Sequence, residues 1–226
     1  MTQQVTPQPN PEKRDFYNQV LQKMHELKPQ TILDVGGAEQ PLIVATHIID
    51  KEPYESFEEY QRLGFIPMSK EKYVYTKDTW CQRDFYDLPW PYADKQFDFV
   101  WCTQTLEDIR DPIAVCKEMM RVGKAGYIET PGVLAEICND FWHHRWFVKV
   151  QNSKIMFLQK SSLFKNMVWN HHSPMLIYPM GRKQKYQDRA CYMLWRDKFE
   201  VQEIICKTAK EHEATLMEWL HDELEK

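Results

Sequence analysis

The sequence is poor in glycine and has no long apolar run. Only seven of its 226 residues are glycine, and the three-glycine G-x-G-x-x-G pattern of dinucleotide-binding turns is absent. No apolar stretch approaches the ~20 residues needed to cross a bilayer, and the first residues lack the apolar segment of a signal peptide. These absences give no indication of membrane association, and we expect a cytoplasmic protein.

Basic charge is not in excess either. A formal net charge of -4 and a pI near 6.1 argue against a broad basic surface for nucleic acid. The six cysteines have no C-x-x-C spacing, which is typical of buried free thiols. At this length, with 43% apolar residues, the chain can build one α/β domain with a sizeable core.

The stretch from Thr31 to Asp50 has the parts of a nucleotide-binding crossover. A short apolar strand runs into a glycine pair, where the missing Cβ atoms let the backbone bend and approach a ligand closely. A second apolar strand ends on an acid that can accept hydrogen bonds from ribose hydroxyls. The same glycine pair is also typical of an ordinary loop. The candidate ligand-binding residues of this stretch are Asp34, Gly36, Gly37 and Asp50.

Strands and helices alternate along the chain, which predicts an open, mostly parallel sheet with helices on both faces. Residues 1–10 are predicted to be a disordered leader and residues 11–226 a single domain. Only nine residues separate Gly37 from His47, too few for a full crossover helix, so we expect one turn or an extended loop there. Helices are predicted at 11–27, 52–63, 111–122, 132–140 and 210–226. Strands are predicted at 31–33, 47–49, 80–83, 97–102 and 126–130. Residues 66–79 are predicted to be a surface connection, and 190–195 with 199–205 the closing antiparallel strand pair.

The most specific pattern lies between Leu88 and Pro131. It comprises LPWPYAD at 88–94, FDFV at 97–100, TLED at 105–108, DP at 111–112, MRVGKAG at 120–126 and IETP at 128–131. Over about residues 30–132 the chain resembles the class I S-adenosylmethionine-dependent methyltransferases, in particular their group of small methyltransferase domains. The resemblance implies a Rossmann-like fold and S-adenosylmethionine as the cofactor.

The resemblance also implies roles for individual residues. In that family the first motif contacts the methionine end of the cofactor and the next acid contacts the ribose. An acid followed by an aromatic residue lies at the adenine, and residues just past the fourth strand border the sulfonium. The matching residues are, in the same order, Asp34, Gly36 and Gly37; Asp50; Asp84 and Phe85; and Cys102 and Gln104. S-adenosylmethionine has no pyrophosphate, so its loop does not need three glycines.

The sequence departs from the family pattern in three places. Ala38 and Gln40 replace glycines, the first crossover is short, and Asp108 stands where many relatives have a histidine. The imperfect glycine motif and Asp108 favour a rival hypothesis, a non-catalytic descendant that serves as a binding or regulatory protein. A second rival, a nicotinamide-dependent oxidoreductase, shares the strand, turn and terminal acid, but the pattern at 88–131 speaks against it.

Residues 133–189 are predicted to be an insertion on the substrate side of the sheet. Strands expected at 147–150 and 154–158 would form a hairpin over the carboxyl ends of the parallel strands. His143 and His144 are the candidate general bases for an oxygen acceptor. The predicted acceptor wall comprises Trp142, His143, His144, Arg145 and Trp146. A small packing core is the alternative interpretation of this aromatic cluster.

We expect no metal site. A zinc site would need ligands from Cys138, His143, His144, His171 and His172. Adjacent histidines usually point in different directions, and no second pair of ligands has the usual spacing. The sequence therefore predicts a methyltransferase that acts on a small-molecule or glycan-type acceptor, without a broad nucleic-acid surface or a membrane partner. It gives no indication of the oligomeric state.

Overall fold

The structure is a computed structural model that describes residues 11–63, 73–139, 141–160 and 189–225. Two predictions fall outside this range: the disordered leader, and the second half of the insertion, which contains His171 and His172. Within the described residues, no helix is both long and apolar enough to cross a membrane.

The described residues form five α-helices and nine β-strands. The helices are α1 (Pro11–Glu26), α2 (Tyr54–Leu63), α3 (Pro112–Val122), α4 (Val133–Asn139) and α5 (Ala209–Leu224). The strands are β1 (Ile32–Val35), β2 (His47–Asp50), β3 (Trp80–Gln82), β4 (Phe99–Thr103), β5 (Ala125–Pro131), β6 (Trp146–Gln151), β7 (Lys154–Gln159), β8 (Ala190–Arg196) and β9 (Glu200–Ile204).

The main sheet has the strand order β3-β2-β1-β4-β5-β8. Its first five strands are parallel, and β8 runs antiparallel to β5. Between β1 and β4 the chain switches from one side of the sheet to the other, which is where open α/β sheets bind ligands. The predicted fold class, a Rossmann-like and mostly parallel α/β sheet, is confirmed.

Helices cover both faces of this sheet because successive strand residues point to opposite sides. Ile32 of β1 packs in one cluster with Phe16, Val20 and Met24 of α1. Leu33, the next residue, packs in another cluster with α3. Helix α3 begins where the sequence predicts, since the Asp111 side chain accepts a hydrogen bond from the Ala114 amide and proline occupies the first turn.

The short connection between β1 and β2 contains no helix. Residues 36–46 form bends and turns, so of the two predicted forms the extended loop is the one present. The loop is tied to the sheet at its far end because the Thr46 amide donates to the Ile32 carbonyl at 2.9 Å. The eleven residues that connect β1 to β2 therefore contain no helix.

The C-terminal strands are present, but each pairs with another strand. Strand β8 joins the main sheet beside β5, whereas β9 runs parallel to β7 in a second sheet of order β6-β7-β9. The turn between them explains this difference from the expected hairpin. Asp197 has a φ of 59°, and its amide donates to the Lys124 carbonyl at 2.8 Å, which holds the turn against the start of β5. The chain then leaves the main sheet, and Phe199 packs against Trp195 in the core.

Two further segments pack more closely than a surface position requires. The predicted surface connection at 66–79 is described from residue 73, and there it is partly wrong: Tyr75 is only 3% exposed and packs against Phe57 and Trp80. Helix α5, predicted at 210–226, is present and docks on its own domain. Its Leu216, Trp219 and Leu220 share a core cluster with α4.

Candidate functional site

A cleft of about 1030 Å³ lies at the carboxyl ends of the parallel strands. It is lined by residues at the ends of β2, β4 and β5, by the loop after β1, and by the segment before β6. Six of the predicted site residues line it: Gly36, Asp50, Asp84, Phe85, Gln104 and His143. The structure thus brings together in one cleft residues that lie up to 107 positions apart in the sequence.

Gly36 makes the sharp turn that opens the cleft. Its φ is 81°, and a Cβ there would lie 2.2 Å from Oγ1 of Thr105. Its amide donates to the Ile49 carbonyl at 2.9 Å, which fixes the turn to β2. Because any side chain would be strained and would collide with Thr105, the position requires glycine.

Asp34 lies beneath the loop and does not line the cleft. It is 1% exposed, and its Oδ2 accepts a hydrogen bond from the Leu42 amide at 2.7 Å. A Cβ on Gly37 would lie 2.5 Å from that same oxygen, which explains the second glycine. Burial raises the pKa of Asp34 to about 7. Asp34 and Gly37 therefore fix the conformation of the loop after β1. Direct contact of these residues with the methionine end of the cofactor stays a prediction.

Asp50 lines the cleft at the tip of β2. Its Oδ2 accepts from the Ala38 amide at 3.0 Å and its Oδ1 from the Glu52 amide at 2.9 Å. Burial raises the pKa of this carboxyl, and the two amide hydrogen bonds oppose that effect. Each carboxylate oxygen can accept a further hydrogen bond, so the side chain is oriented and still able to bind a diol.

The segment after β3 supplies Asp84 and Phe85 to the same cleft. Asp84 is exposed and its Oδ1 accepts from the Tyr86 amide at 3.0 Å. Phe85 is 7% exposed. Tyr86 and Arg110 also line the cleft, and the guanidinium lies 4.8 Å from the centre of the Tyr86 ring. Neither Tyr86 nor Arg110 was predicted as a site residue, because neither belongs to a recognised motif. The two residues are brought together only by the fold.

Cys102 lies within β4, and Gln104 directly follows that strand. Gln104 has a φ of 53° and its Nε2 donates to Oε1 of buried Glu129 at 3.2 Å. The same oxygen accepts from the hydroxyl of Tyr17 at 2.7 Å, which brings α1 to the edge of the cleft. Cys102 is fully buried inside β4, so its thiol does not line the cleft, and burial raises its pKa well above the usual range. Tyr17 was not predicted as a site residue, because the apolar spacing of residues 11–27 indicates only a helix that covers the sheet.

The predicted acceptor wall divides into three parts. His143 and Arg145 line the cleft. Trp142 is 82% exposed, whereas Trp146 is 7% exposed and its Nε1 donates to the Ile109 carbonyl at 2.7 Å. Trp146 thus belongs to the core, as the packing interpretation of the cluster has it. The His144 side chain is 7% exposed and its Nδ1 lies 2.5 Å from Oε1 of Glu136. Of the two candidate bases, only His143 reaches the cleft.

A comparison of the sequence with models of protein families finds one match. The family model described as a methyltransferase domain matches residues 46–128, which contain β2 to β4, α3 and half of β5. This match covers less than half of the chain, and over residues 46–128 the chain resembles a methyltransferase domain. The resemblance to the class I S-adenosylmethionine-dependent methyltransferases is thereby confirmed, and S-adenosylmethionine is the cofactor of such a domain.

Solved methyltransferase structures align with part of the chain. A putative sarcosine dimethylglycine methyltransferase from Galdieria sulphuraria aligns at 17% identity and a TM-score of 0.35, over 52% of this chain and 44% of its own. An S-adenosylmethionine-dependent methyltransferase from Aquifex aeolicus aligns at 18% identity and a TM-score of 0.33, over 50% and 64%. A putative one from Listeria monocytogenes aligns at 16% identity and a TM-score of 0.34, over 51% and 55%.

The match with known proteins is thus partial. The chain spans less than two thirds of the length of each of these three structures. Comparison with curated proteins finds no match.

The geometry of this methyltransferase domain fits its cofactor. The turn at Gly36 leaves open backbone where a Cβ would collide with Thr105, and the Asp50 carboxylate is held at the neighbouring strand tip. Phe85 adds an apolar surface beside the exposed acid Asp84. These residues can hold the adenosyl group, and Thr103 and Gln104 at the end of β4 line the same cleft.

Proposed function

We propose that the chain is an active enzyme that transfers the methyl group of S-adenosylmethionine to a small or medium-sized acceptor. The observation that carries the proposal is a single cleft with two differently built ends. One end has the glycine turn and the Asp50 carboxylate; the other is lined by Thr130, Phe141 and His143. Ligand sites usually enclose about 300 to 1,000 Å³. A volume of about 1030 Å³ thus has room for the cofactor and an acceptor together.

The cofactor supplies a methyl group already activated by its positively charged sulfur. The residues of the chain then have to align the acceptor and exclude water, and positioning of this kind can lower a barrier by ~7 to 11 kcal/mol. Asp50 is suited to orient the ribose of the cofactor, because backbone amides hold both of its carboxylate oxygens in place. The acceptor end is formed by α4 and the segment that leads into β6, which lie within the predicted insertion.

His143 is the residue we assign to help an acceptor lose its proton. It lines the cleft, and it is exposed. An oxygen acceptor must release a proton during methylation, and a base within hydrogen-bonding reach speeds that release. His144 is suited to a supporting task, since its Nδ1 is engaged by Glu136.

The acceptor we favour is a polar small molecule or a glycan-type compound. Charged side chains of both signs line the cleft, among them Lys51, Asp108, Arg110 and Arg145. A mixed lining can hydrogen-bond hydroxyl and amine groups, whereas a nucleic acid would select a broad basic surface. The net charge of -4 agrees with that choice.

Calorimetry with S-adenosylhomocysteine tests the cofactor half of the proposal. Asp50→Asn removes the charge while keeping an acceptor oxygen, so we expect affinity to fall about tenfold or more, as for loss of a hydrogen bond to a charged group. Asp87→Asn is the matched control, because this exposed acid lies three residues after Asp84 and does not line the cleft. Equal binding by the Asp50→Asn variant and the wild type would refute the ribose assignment.

A turnover assay tests the catalytic half. We expect release of S-adenosylhomocysteine with at least one member of a panel of hydroxylated small molecules and saccharides. Tight cofactor binding without turnover across the panel would favour the non-catalytic rival. Ultraviolet difference spectra on adding NAD in place of the methyl donor would detect the oxidoreductase rival, and we expect no saturable change.

A further inference from the structure

Three side chains with metal-binding atoms converge beside the acceptor end of the cleft. Asp108, His143 and His144 each offer one ligand atom, and these atoms all lie within 4.8 Å of one another. Nε2 of His144 is 3.7 Å from Oδ1 of Asp108, too long for a hydrogen bond. Two ligands bound tetrahedrally at about 2.1 Å from one ion are about 3.4 Å apart. The spacing of this pair therefore needs little change to accept an ion.

The local backbone explains how adjacent histidines come to point the same way. The chain turns at residues 141–144, where the His144 amide donates to the Phe141 carbonyl at 3.2 Å. The two imidazole centres are 4.4 Å apart, and the Phe141 ring stacks on that of His144. The expectation that neighbouring histidines diverge holds in a regular strand, and this segment is not one.

Asp108 is brought to the histidines by a separate contact between segments. It follows β4, and its amide donates to the Thr105 carbonyl at 3.1 Å. The Arg145 amide donates to the Glu107 carbonyl at 2.7 Å, which binds the two segments side by side. The substitution of aspartate for the family's usual histidine thus places a carboxylate oxygen beside the histidine pair.

His144 has the orientation that metal-bound histidines usually have. Its Nδ1 lies 2.5 Å from Oε1 of Glu136, a fully buried carboxylate whose other oxygen accepts from Lys160 at 3.1 Å. Such a carboxylate fixes the ring and leaves Nε2 unprotonated to bind an ion. Nε2 is the atom that faces Asp108.

The Asp108 carboxylate has an oxygen that lacks a hydrogen-bond donor among the described residues. Its Oδ1 is buried and has no hydrogen-bond partner among the residues that the structure describes. A buried carboxylate oxygen without a partner is energetically unfavourable and in native proteins usually reflects a ligand, a water or an ion. A cation held by the two imidazoles would satisfy it.

We propose that Asp108, His143 and His144 bind a first-row divalent transition-metal ion, with Zn²⁺ as the type case. Two imidazoles and one carboxylate are the ligands that such ions prefer, whereas Mg²⁺ prefers oxygen ligands alone. Three protein ligands leave at least one coordination position open. Because Asp108 and His143 also line the cleft, an acceptor oxygen can occupy that position. On the proposed function, the ion would then hold a hydroxylated acceptor and favour loss of its proton, so His143 would assist that loss as a ligand of the ion and not as a free base.

Ion binding tests this inference independently of methyl transfer. Chelator-treated protein is titrated with Zn²⁺ and with Mg²⁺ by calorimetry, and with Co²⁺ by visible absorption. We expect one Zn²⁺ per chain, visible Co²⁺ bands of a low-coordinate site, and Mg²⁺ binding at least tenfold weaker. His143→Gln and Asp108→Asn should each lower Zn²⁺ affinity by about tenfold to a hundredfold or more, and Glu136→Gln by about tenfold.

Two control variants make the result specific. His221→Gln changes an exposed histidine on α5, and a double variant of His171 and His172 changes the histidines outside the described residues. Both should bind Zn²⁺ like the wild type. No stoichiometric binding, or binding that survives loss of His143 and Asp108, would overturn the inference. S-adenosylhomocysteine affinity should be unaffected by chelation, so failure here and failure of the methyl-transfer proposal give different results.

Discussion

Single residues decide the shape of the cofactor end of the cleft. Gly36 and Gly37 are both required, for different reasons: the first because Thr105 occupies the place of its Cβ, the second because Asp34 does. The sequence predicts the glycine pair but cannot reveal either neighbour, since Thr105 lies 69 positions away from Gly36. Asp34 was predicted to touch the cofactor, whereas its visible contact is with the loop backbone.

The raised pKa of Asp34 predicts how the free energy of unfolding depends on pH. Burial raises its pKa from 3.8 to about 7 in the folded chain. Between those values the folded state holds a proton that the unfolded state has lost. Its contribution to stability is therefore full below about pH 4, falls as the pH rises, and is lost above about pH 7, with a slope of at most about 1.4 kcal/mol per pH unit.

Urea unfolding of the wild type and Asp34→Asn, measured from about pH 4 to about pH 7.5, checks this contribution, since the variant lacks the titrating group. All other groups titrate in both proteins, so the difference in unfolding free energy isolates Asp34. We expect the wild type to lose stability relative to the variant as the pH rises. A difference that does not change with pH would contradict the raised pKa.

At the scale of elements, local sequence patterns predict which segments are helices or strands better than they predict which strands pair. Helix α3 follows from Asp111 and Pro112, and the β6-β7 hairpin from the polar Gln151-Asn152-Ser153 between apolar runs; both are confirmed. Strand β9 was recognised as a strand, but its partner β7 was not. Pairing depends on where the turn at Asp197 is held, and that is set by a contact with Lys124 far away in the sequence.

The contact between α5 and α4 is another feature that no local pattern predicts. Both oxygens of Glu223 accept hydrogen bonds from the first amides of α4, Val133 at 2.9 Å and Leu134 at 2.7 Å. A carboxylate is favourable there because the amides at a helix N-terminus are otherwise unpaired and carry partial positive charge. Helix α4 also carries Glu136, which holds His144.

Glu223→Gln should therefore destabilise the fold. Loss of two charge-assisted hydrogen bonds predicts a fall of about 1 to 3 kcal/mol in the free energy of unfolding. Glu218→Gln on the exposed face of the same helix is the control, with an expected change within about 0.5 kcal/mol. Urea titration measures both, and equal stability of the two variants would show that the cap contributes nothing.

At the scale of the whole molecule, the two sheets share one core. The cluster around α3 contains Leu33 and Val100 of the main sheet together with Ile155 and Phe157 of the second sheet. Trp146 connects them further, because it begins β6 and donates to the Ile109 carbonyl beyond β4. The second sheet is thus part of the same folding unit as the sheet that bears the cleft.

A cavity in the second sheet should consequently weaken the main sheet as well. Phe157 is fully buried in β7, and Phe157→Ala should lower the free energy of unfolding by about 3 to 5 kcal/mol. Glu203→Ala, an exposed position on neighbouring β9, serves as the control. Hydrogen exchange reports the result for each strand: amides of β1 and β4 that open only by global unfolding should lose as much protection as those of β7. Loss of protection confined to β6, β7 and β9 would show instead that the second sheet unfolds independently.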